Sequence, residues 1–210
     1  MTRILLAADY AVVRHGLKEI LSHAMADAVF GDAASAAEAL EKARAGDWDL
    51  AILDTSLPDR SGLDVLKELR QVRPKLPILV LSMYPEEQLA VRALRAGANG
   101  YVSKKTAEAD LLTAVRKVLA GGRYVSPALA ERLAGAIQAG SERAPHETLS
   151  DLEYQVFRLL AIGHTVKEIG EKLAVSPQTV STHRSRILEK MGLTTNAELT
   201  QYAIQNRLLE

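Results

Sequence analysis

Asp9, Asp54, Ser82 and Lys104 stand just beyond four short apolar runs, Ile4 to Ala7, Leu50 to Leu53, Ile78 to Leu81 and Gly100 to Val102. In an open α/β sheet, sites form outside the carboxyl ends of the strands, so these four polar side chains are expected to converge on one edge. Two carboxylates a few ångström apart repel unless a cation lies between them, and Mg²⁺ suits one or two carboxylates plus a phosphate. Asp54 is then placed as a nucleophile toward phosphorus, forming an aspartyl phosphate. A metal held by Asp9 would screen the developing charge, Lys104 would pair with one phosphoryl oxygen, and the Ser82 hydroxyl would bond another. A single Asp at a strand end is ordinarily a turn or a cap; four matched strand ends point to a phosphate receiver.

A second chemistry-bearing stretch is "AVSPQTVSTHRSRILEKMG", Ala174 to Gly192. Ser176 then Pro177 is a helix start, a cap followed by proline at the first helical position, and Gly192 is a stop. At 100° per residue, Val180, Ile187, Leu188 and Met191 share one face, with Gln178, Thr182, Ser185, Arg186 and Glu189 opposite. "HTVKEIGEKL" (His164 to Leu173) precedes it as another helix beginning near Thr165. Two helices joined this tightly form a helix-turn-helix, whose second member can enter the DNA major groove. Short hydroxyl side chains approach base edges, while Arg and Lys reach phosphates or guanine. His183 borders the packed face and reads as structural or as a phosphate hydrogen-bonder.

The elements that must carry these residues follow from periodicity. The first 123 residues alternate apolar runs, with Ala28 to Gly31 as the remaining strand, and amphipathic stretches at Val12 to His23, Ala36 to Ala45, Gly62 to Gln71, Glu86 to Ala96 and Ala107 to Ala120. Five βα units in series imply an α/β doubly wound, five-stranded parallel sheet, because parallel strands need crossovers. Residues 124–146 read as a linker with a helix at Ser126 to Gln138 and a small, polar tail at Ala139 to His146. Residues 147–210 read as an all-α, four-helix module. Trp48 reads as a packing residue at a helix-to-strand turn, and His15 and His23 as solvated.

Composition narrows the options. The 210 residues are 48% apolar, enough for two cores. No stretch approaches the roughly 20 apolar residues of a membrane helix, and the N-terminus meets an acid too early for a signal peptide, so a cytoplasmic protein without a membrane partner is expected. There is no cysteine, and the five histidines lack ligand spacing, leaving oxygen ligands for any metal. With 26 basic and 26 acidic residues, a nucleic-acid footprint must be local.

Residues 3 to 123 resemble the receiver domain of two-component response regulators, through "RILLAADYAVVRHGL", "LAILDTSLPDRSGLDVL", "ILVLSMY" and "GANGYVSK" in order and spacing. The resemblance implies that a histidine kinase phosphorylates Asp54. It also implies that Asp9 and Asp54 ligate Mg²⁺ with the Ser56 carbonyl, and that Ser82 and Tyr101 form a switch pair. One departure stands out: the family carries two adjacent acids after the first strand, and here the first is Ala8. Weaker Mg²⁺ affinity and slower phosphorylation are expected from it.

Leu149 onward, "LSDLEYQVFRLLAIGHTVKEIGEKLAVSPQTVSTHRSRILEKMGLTTNAELTQYAIQNRLL", resembles the LuxR-type output domain of NarL/FixJ response regulators. That implies that Ser181, Thr182 and Ser185 face bases and that Lys167, Thr179, Arg184, Arg186 and Lys190 serve the phosphate backbone. The last helix, Asn196 to Asn206, would help a homodimer form on double-stranded DNA, with an inverted repeat as target. The expectation is a non-enzymatic transcription regulator. Its rivals are a DNA-binding regulator whose receiver works without phosphate, a Mg²⁺-dependent phosphoester hydrolase, and a small-molecule sensor, which the N-terminal pattern disfavours.

Overall fold

The computed structural model describes residues 1–83, 86–138, 144–206, 208 and 209. Two compact units, Met1–Ala136 and Ile137–Glu210, are each described by themselves.

In the first unit, strands β1 (Arg3–Ala7), β2 (Val29–Ala33), β3 (Leu50–Asp54), β4 (Ile78–Ser82) and β5 (Gly100–Ser103) alternate with helices α1 (Ala11–Ala24), α2 (Ala36–Ala45), α3 (Gly62–Val72), α4 (Glu86–Arg95) and α5 (Ala107–Leu119). The sheet is parallel, in the order β2-β1-β3-β4-β5. Both faces are covered, so the strands read as continuous apolar runs rather than alternating ones. Alternate residues nevertheless serve different cores. Leu5, Ala7, Leu53 and Val80 pack with Leu40, Leu66 and Ala90 of α2, α3 and α4, while Ile4, Leu6, Ile52 and Leu81 pack with Leu17, Leu21 and Val115 of α1 and α5.

Three strands run one polar residue past the apolar run that announced them, to Asp54, Ser82 and Ser103. Parallel pairing does not stop where hydrophobicity stops: Asp54 stands against Leu81, and Ser82 against Ser103. Strand β2 likewise extends to Ala33, because Asp32 pairs with Leu6. The segment read as the beginning of a linker is part of this unit. The Tyr101 N–H donates to the Tyr124 carbonyl at 3.1 Å, Tyr124 is buried, and Leu129 of α6 (Pro127–Gln138) lies in the α2/α3/α4-side core. Of the tail read at Ala139 to His146, residues 139–143 lie outside those described, and Pro145–Thr148 forms a 3₁₀ turn.

Trp48 closes the edge of the sheet opposite the four polar strand ends. Its Nε1 donates to the Lys42 carbonyl at 2.7 Å, and the Arg3 guanidinium lies 5.2 Å from its ring centroid, within cation–π range. The ring lies so close to Gly31 that a Cβ there would meet it at 2.2 Å. Gly31→Ala is therefore expected to cost about 2 kcal/mol through overpacking. A lowered urea midpoint, followed by the fluorescence of this single tryptophan, is the measurement.

The second unit holds α7 (Asp151–Ala161), α8 (Val166–Leu173), α9 (Pro177–Met191) and α10 (Asn196–Gln205) around Val156, Phe157, Ile169, Val180, Ile187, Leu199 and Ala203. Ser150, Thr165 and Thr195 close capping boxes with Glu153, Glu168 and Glu198, and Ser176 caps α9 ahead of Pro177, so all four helices begin at sequence-coded points. The α8–α9 turn is tight. A Cβ at Gly170 would meet the Val175 carbonyl oxygen at 2.8 Å, and Ala174 takes the left-handed conformation at φ 53°.

Candidate functional site

Asp54 is fully buried at the end of β3. The Ser56 N–H donates to its Oδ1 at 2.9 Å, and the Lys104 ammonium donates to its Oδ2. Strand parity puts Asp54 in line with Leu50 and Ile52, and Lys104 follows Val102, so acid and base come from the α1/α5 side of the sheet. The Lys104 N–H also donates to the Ser82 carbonyl at 2.7 Å, which fastens the β5–α5 turn to β4. A carboxylate fixed by one amide and one ammonium at a strand mouth is a pre-oriented oxygen nucleophile with its counter-charge in place.

Ser82 and Tyr101 are also fully buried, but on the opposite parity, toward α2, α3 and α4. The Ser82 hydroxyl lies 2.7 Å from the hydroxyl of Thr55, a partner the sequence reading missed. The β3–α3 loop that carries Ser56 is held at its far end by Asp59, which accepts from the N–H groups of Ala36 (2.8 Å) and Ala37 (3.1 Å) at the start of α2. Burial would raise the Asp59 pKa, but the backbone N–H bonds from Ala36, Ala37 and its own residue, with the Arg60 charge, together outweigh it and hold the carboxyl below its ordinary value.

Asp9 is partly exposed just past β1, with Oδ1 accepting from the Tyr10 N–H at 2.7 Å. Ala8 is buried, its N–H bonded to the Ala33 carbonyl at 3.0 Å. Arg14 donates to the carbonyls of Ala8 and Asp9, and Lys18 pairs with Asp32 at 2.7 Å. The oxygens expected from sequence to face a cation are the carboxylates of Asp9 and Asp54 and the Ser56 carbonyl. These are hard oxygens of the kind that suit Mg²⁺ retaining several waters. It is a sparse set: among the described residues, no group of three or more His, Cys, Asp or Glu could hold a metal ion.

In the second unit, α9 buries Val180, Ile187 and Met191 and exposes Gln178, Thr182, Ser185, Arg186 and Glu189. Thr179, Ser181 and Arg184 are half-buried, and Lys167 is exposed on α8. The Thr182 and Ser185 hydroxyls donate to the carbonyls of Gln178 (3.0 Å) and Ser181 (3.2 Å), one turn back. Arg184 Nε donates to Asn196 Oδ1 at 2.7 Å, joining α9 to the start of α10.

Lys190 has a partner the sequence did not announce. Its ammonium donates to Glu153 Oε2 at 2.6 Å, and Glu153, in the first turn of α7, is buried. The same carboxylate accepts from the Ser150 N–H at 2.7 Å. Burial pushes the Glu153 pKa up, but the bonds from Lys190 and Ser150 outweigh it and leave the carboxyl below its ordinary value.

Comparison with known proteins gives a consistent likeness along the whole chain. Residues 4–116 match the response regulator receiver domain, and residues 147–203 match the bacterial regulatory proteins of the luxR family. The response regulator GacA of Pseudomonas aeruginosa is 32% identical over 211 residues, covering 100% of this chain and 99% of its own. The oxygen regulatory protein NreC of Staphylococcus carnosus is 35% identical and covers 99% of each chain. Among solved structures, RcsB from Salmonella enterica serovar Typhimurium, bound to promoter rprA in the presence of phosphomimetic BeF3-, matches with a TM-score of 0.65 at 25% identity, over 96% of this chain and 98% of that one.

Proposed function

Since the chain belongs to the response regulators of the NarL/FixJ type, a receiver domain followed by a LuxR-type helix-turn-helix, we propose that it accepts a phosphoryl group on Asp54 from a histidine kinase and regulates transcription by binding DNA in response. The observation that carries this reading is the buried Asp54 carboxylate, oriented by the Ser56 N–H and paired with Lys104. Asp54 Oδ attacks phosphorus as the bond from phosphorus to the donor's imidazole nitrogen breaks. The leaving imidazole keeps that electron pair and takes a proton from solvent, so the charge that builds is on the phosphoryl oxygens. Lys104 lies within reach of one of them, and Ser82 is the hydroxyl donor on the neighbouring strand. Mg²⁺, when bound by Asp9, Asp54 and the Ser56 carbonyl, supplies further neutralisation.

The switch elements are Ser82, at the end of β4, and Tyr101, within β5, both buried. Loading Asp54 shifts a two-state receiver through them. In the output module, Ser181, Thr182 and Ser185 read bases, and Lys167 of α8 and Thr179, Arg184 and Arg186 of α9 contact phosphates, while Lys190, assigned to the phosphate backbone from sequence, holds Glu153 instead. A homodimer formed through α10 matches an inverted repeat in double-stranded DNA. We take residues 1–123 as the receiver, 124–146 as the connecting segment, whose first part packs onto the receiver through Tyr124 and Leu129, and 147–210 as the DNA-binding domain, in a non-enzymatic regulator of the cytoplasm. Among the described residues, no helix is long and apolar enough to cross a membrane.

Ala8 favours a second reading, in which the receiver signals without phosphate. Ligand charge count sets the affinity of such oxygen sites, so Ala8→Asp tests how much the missing acid matters. The Mg²⁺ concentration giving half-maximal phosphorylation from acetyl phosphate is expected to fall about ten-fold, the worth of roughly one charge-assisted interaction. A receiver that gains no Mg²⁺ sensitivity from the restored acid supports the phosphate-independent reading. The DNA-binding reading does not depend on that outcome.

A further inference from the structure

Thr55 follows the proposed phosphoacceptor, and none of the roles above uses it. It has the strand parity of Leu53, so its side chain lies on the α2/α3/α4 side of the sheet, away from the Asp54–Lys104 pair and level with Ser82. Its hydroxyl is 2.7 Å from that of Ser82, across 27 residues of sequence. Its backbone is restrained from two sides. The Thr55 N–H donates to the Leu81 carbonyl at 3.0 Å, and Gly62 packs so tightly on it that a Cβ at position 62 would meet Thr55 Cα at 2.4 Å. A β-branched side chain on a pinned backbone has little rotamer freedom, so the Thr55 hydroxyl is a fixed point.

We propose that Thr55 is a positioning residue that latches the Ser82 hydroxyl on the side of the sheet away from Asp54 and so sets the threshold for switching. The inference rests on the reading that Ser82 bonds a phosphoryl oxygen on Asp54. Ser82 must turn from its own side of the sheet to do so, and Thr55 cannot follow. A hydrogen bond to a phosphoryl oxygen is about twice as strong as one between neutral hydroxyls, so the loaded state wins. The latch subtracts the worth of the broken Thr55–Ser82 bond from that gain. A net hydrogen bond of ordinary strength corresponds to about a five-fold shift in the equilibrium.

The test is a titration of the full chain with beryllofluoride in the presence of Mg²⁺, bound fluoride being read by ¹⁹F NMR. Thr55→Val keeps the shape and removes the hydroxyl; it is expected to bind the phosphoryl mimic about five-fold more tightly than wild type. Thr55→Ser keeps the hydroxyl and is expected to restore most of the wild-type affinity, which a packing effect alone would not do. Thr55→Ala serves if the valine variant melts early. Binding by Thr55→Val that equals wild type, or is weaker, overturns the latch while leaving the phosphoacceptor reading intact. No bound signal in wild type or variant sinks both, since the latch would then oppose nothing.

Discussion

Asp54→Asn abolishes the acid-stable, base-labile mass increment that wild-type protein gains on incubation with Mg²⁺ and acetyl phosphate. This is the largest effect expected of any single substitution in the receiver. The carboxamide keeps the volume and one oxygen acceptor, so the Ser56 N–H retains a partner, but it has no anionic oxygen to attack phosphorus. Lys104 loses its counter-ion, yet it reaches the sheet edge and can turn to solvent, so the fold survives. Intact-protein mass spectrometry reads the outcome directly. An adduct that persists in Asp54→Asn places the phosphoryl group elsewhere, and no adduct in wild type favours the phosphate-independent receiver that Ala8 permits.

Lys190→Met is expected to destabilise the DNA-binding module by about 2 kcal/mol, on the order of 10 °C in Tm for a module of this size. Removing the ammonium strands the buried Glu153 carboxylate, whose side chain is only 4% exposed. Removing one partner of a fully buried pair costs more than this; the Lys190 side chain is 42% exposed, and water already screens part of the attraction. The pair also fixes a pH dependence. Glu153 has a folded-state pKa below its ordinary value, so its contribution is complete above about pH 5 and is lost as pH falls through the folded value. Wild-type Tm should decline on the acid side more steeply than that of Glu153→Gln.

The same substitution separates support from DNA contact. Each Lys or Arg that neutralises a phosphate adds about one unit to the slope of log affinity against log salt. Arg186, exposed on α9 and without an ion pair among the described residues, should remove about one unit of slope when changed to Ala. Lys190→Met should lower stability and leave the slope nearly unchanged, because its charge is committed to Glu153.

The strand ends were legible in sequence for a simple reason: burial on both faces of a parallel sheet demands unbroken apolar runs, and a polar residue that closes such a run marks a functional edge. That rule located Asp54, Ser82 and Lys104, and it misplaced the strand limits by one residue because backbone pairing continues through Asp54 and Ser82. Helix α9 was legible because Ser176, Pro177 and Gly192 code its ends locally. What sequence spacing could not show are pairs made by tertiary folding. Thr55 meets Ser82 only because β3 and β4 are neighbours in register, and Lys190 meets Glu153 only because the end of α9 packs on the start of α7. The matching parity of Thr55 and Ser82 about adjacent strands was a usable signal. No comparable signal announced Glu153, whose Ser150 capping box accounts for it as an ordinary helix start.

The coupling of the two units is the claim on which the rest depends, and genome-wide DNA occupancy measured in parallel for wild type and Asp54→Asn under kinase-activating growth tests it most directly. Sites bound by wild type and vacated by the variant, at equal protein levels, are the predicted result. Identical occupancy of the same sites by both proteins would contradict it.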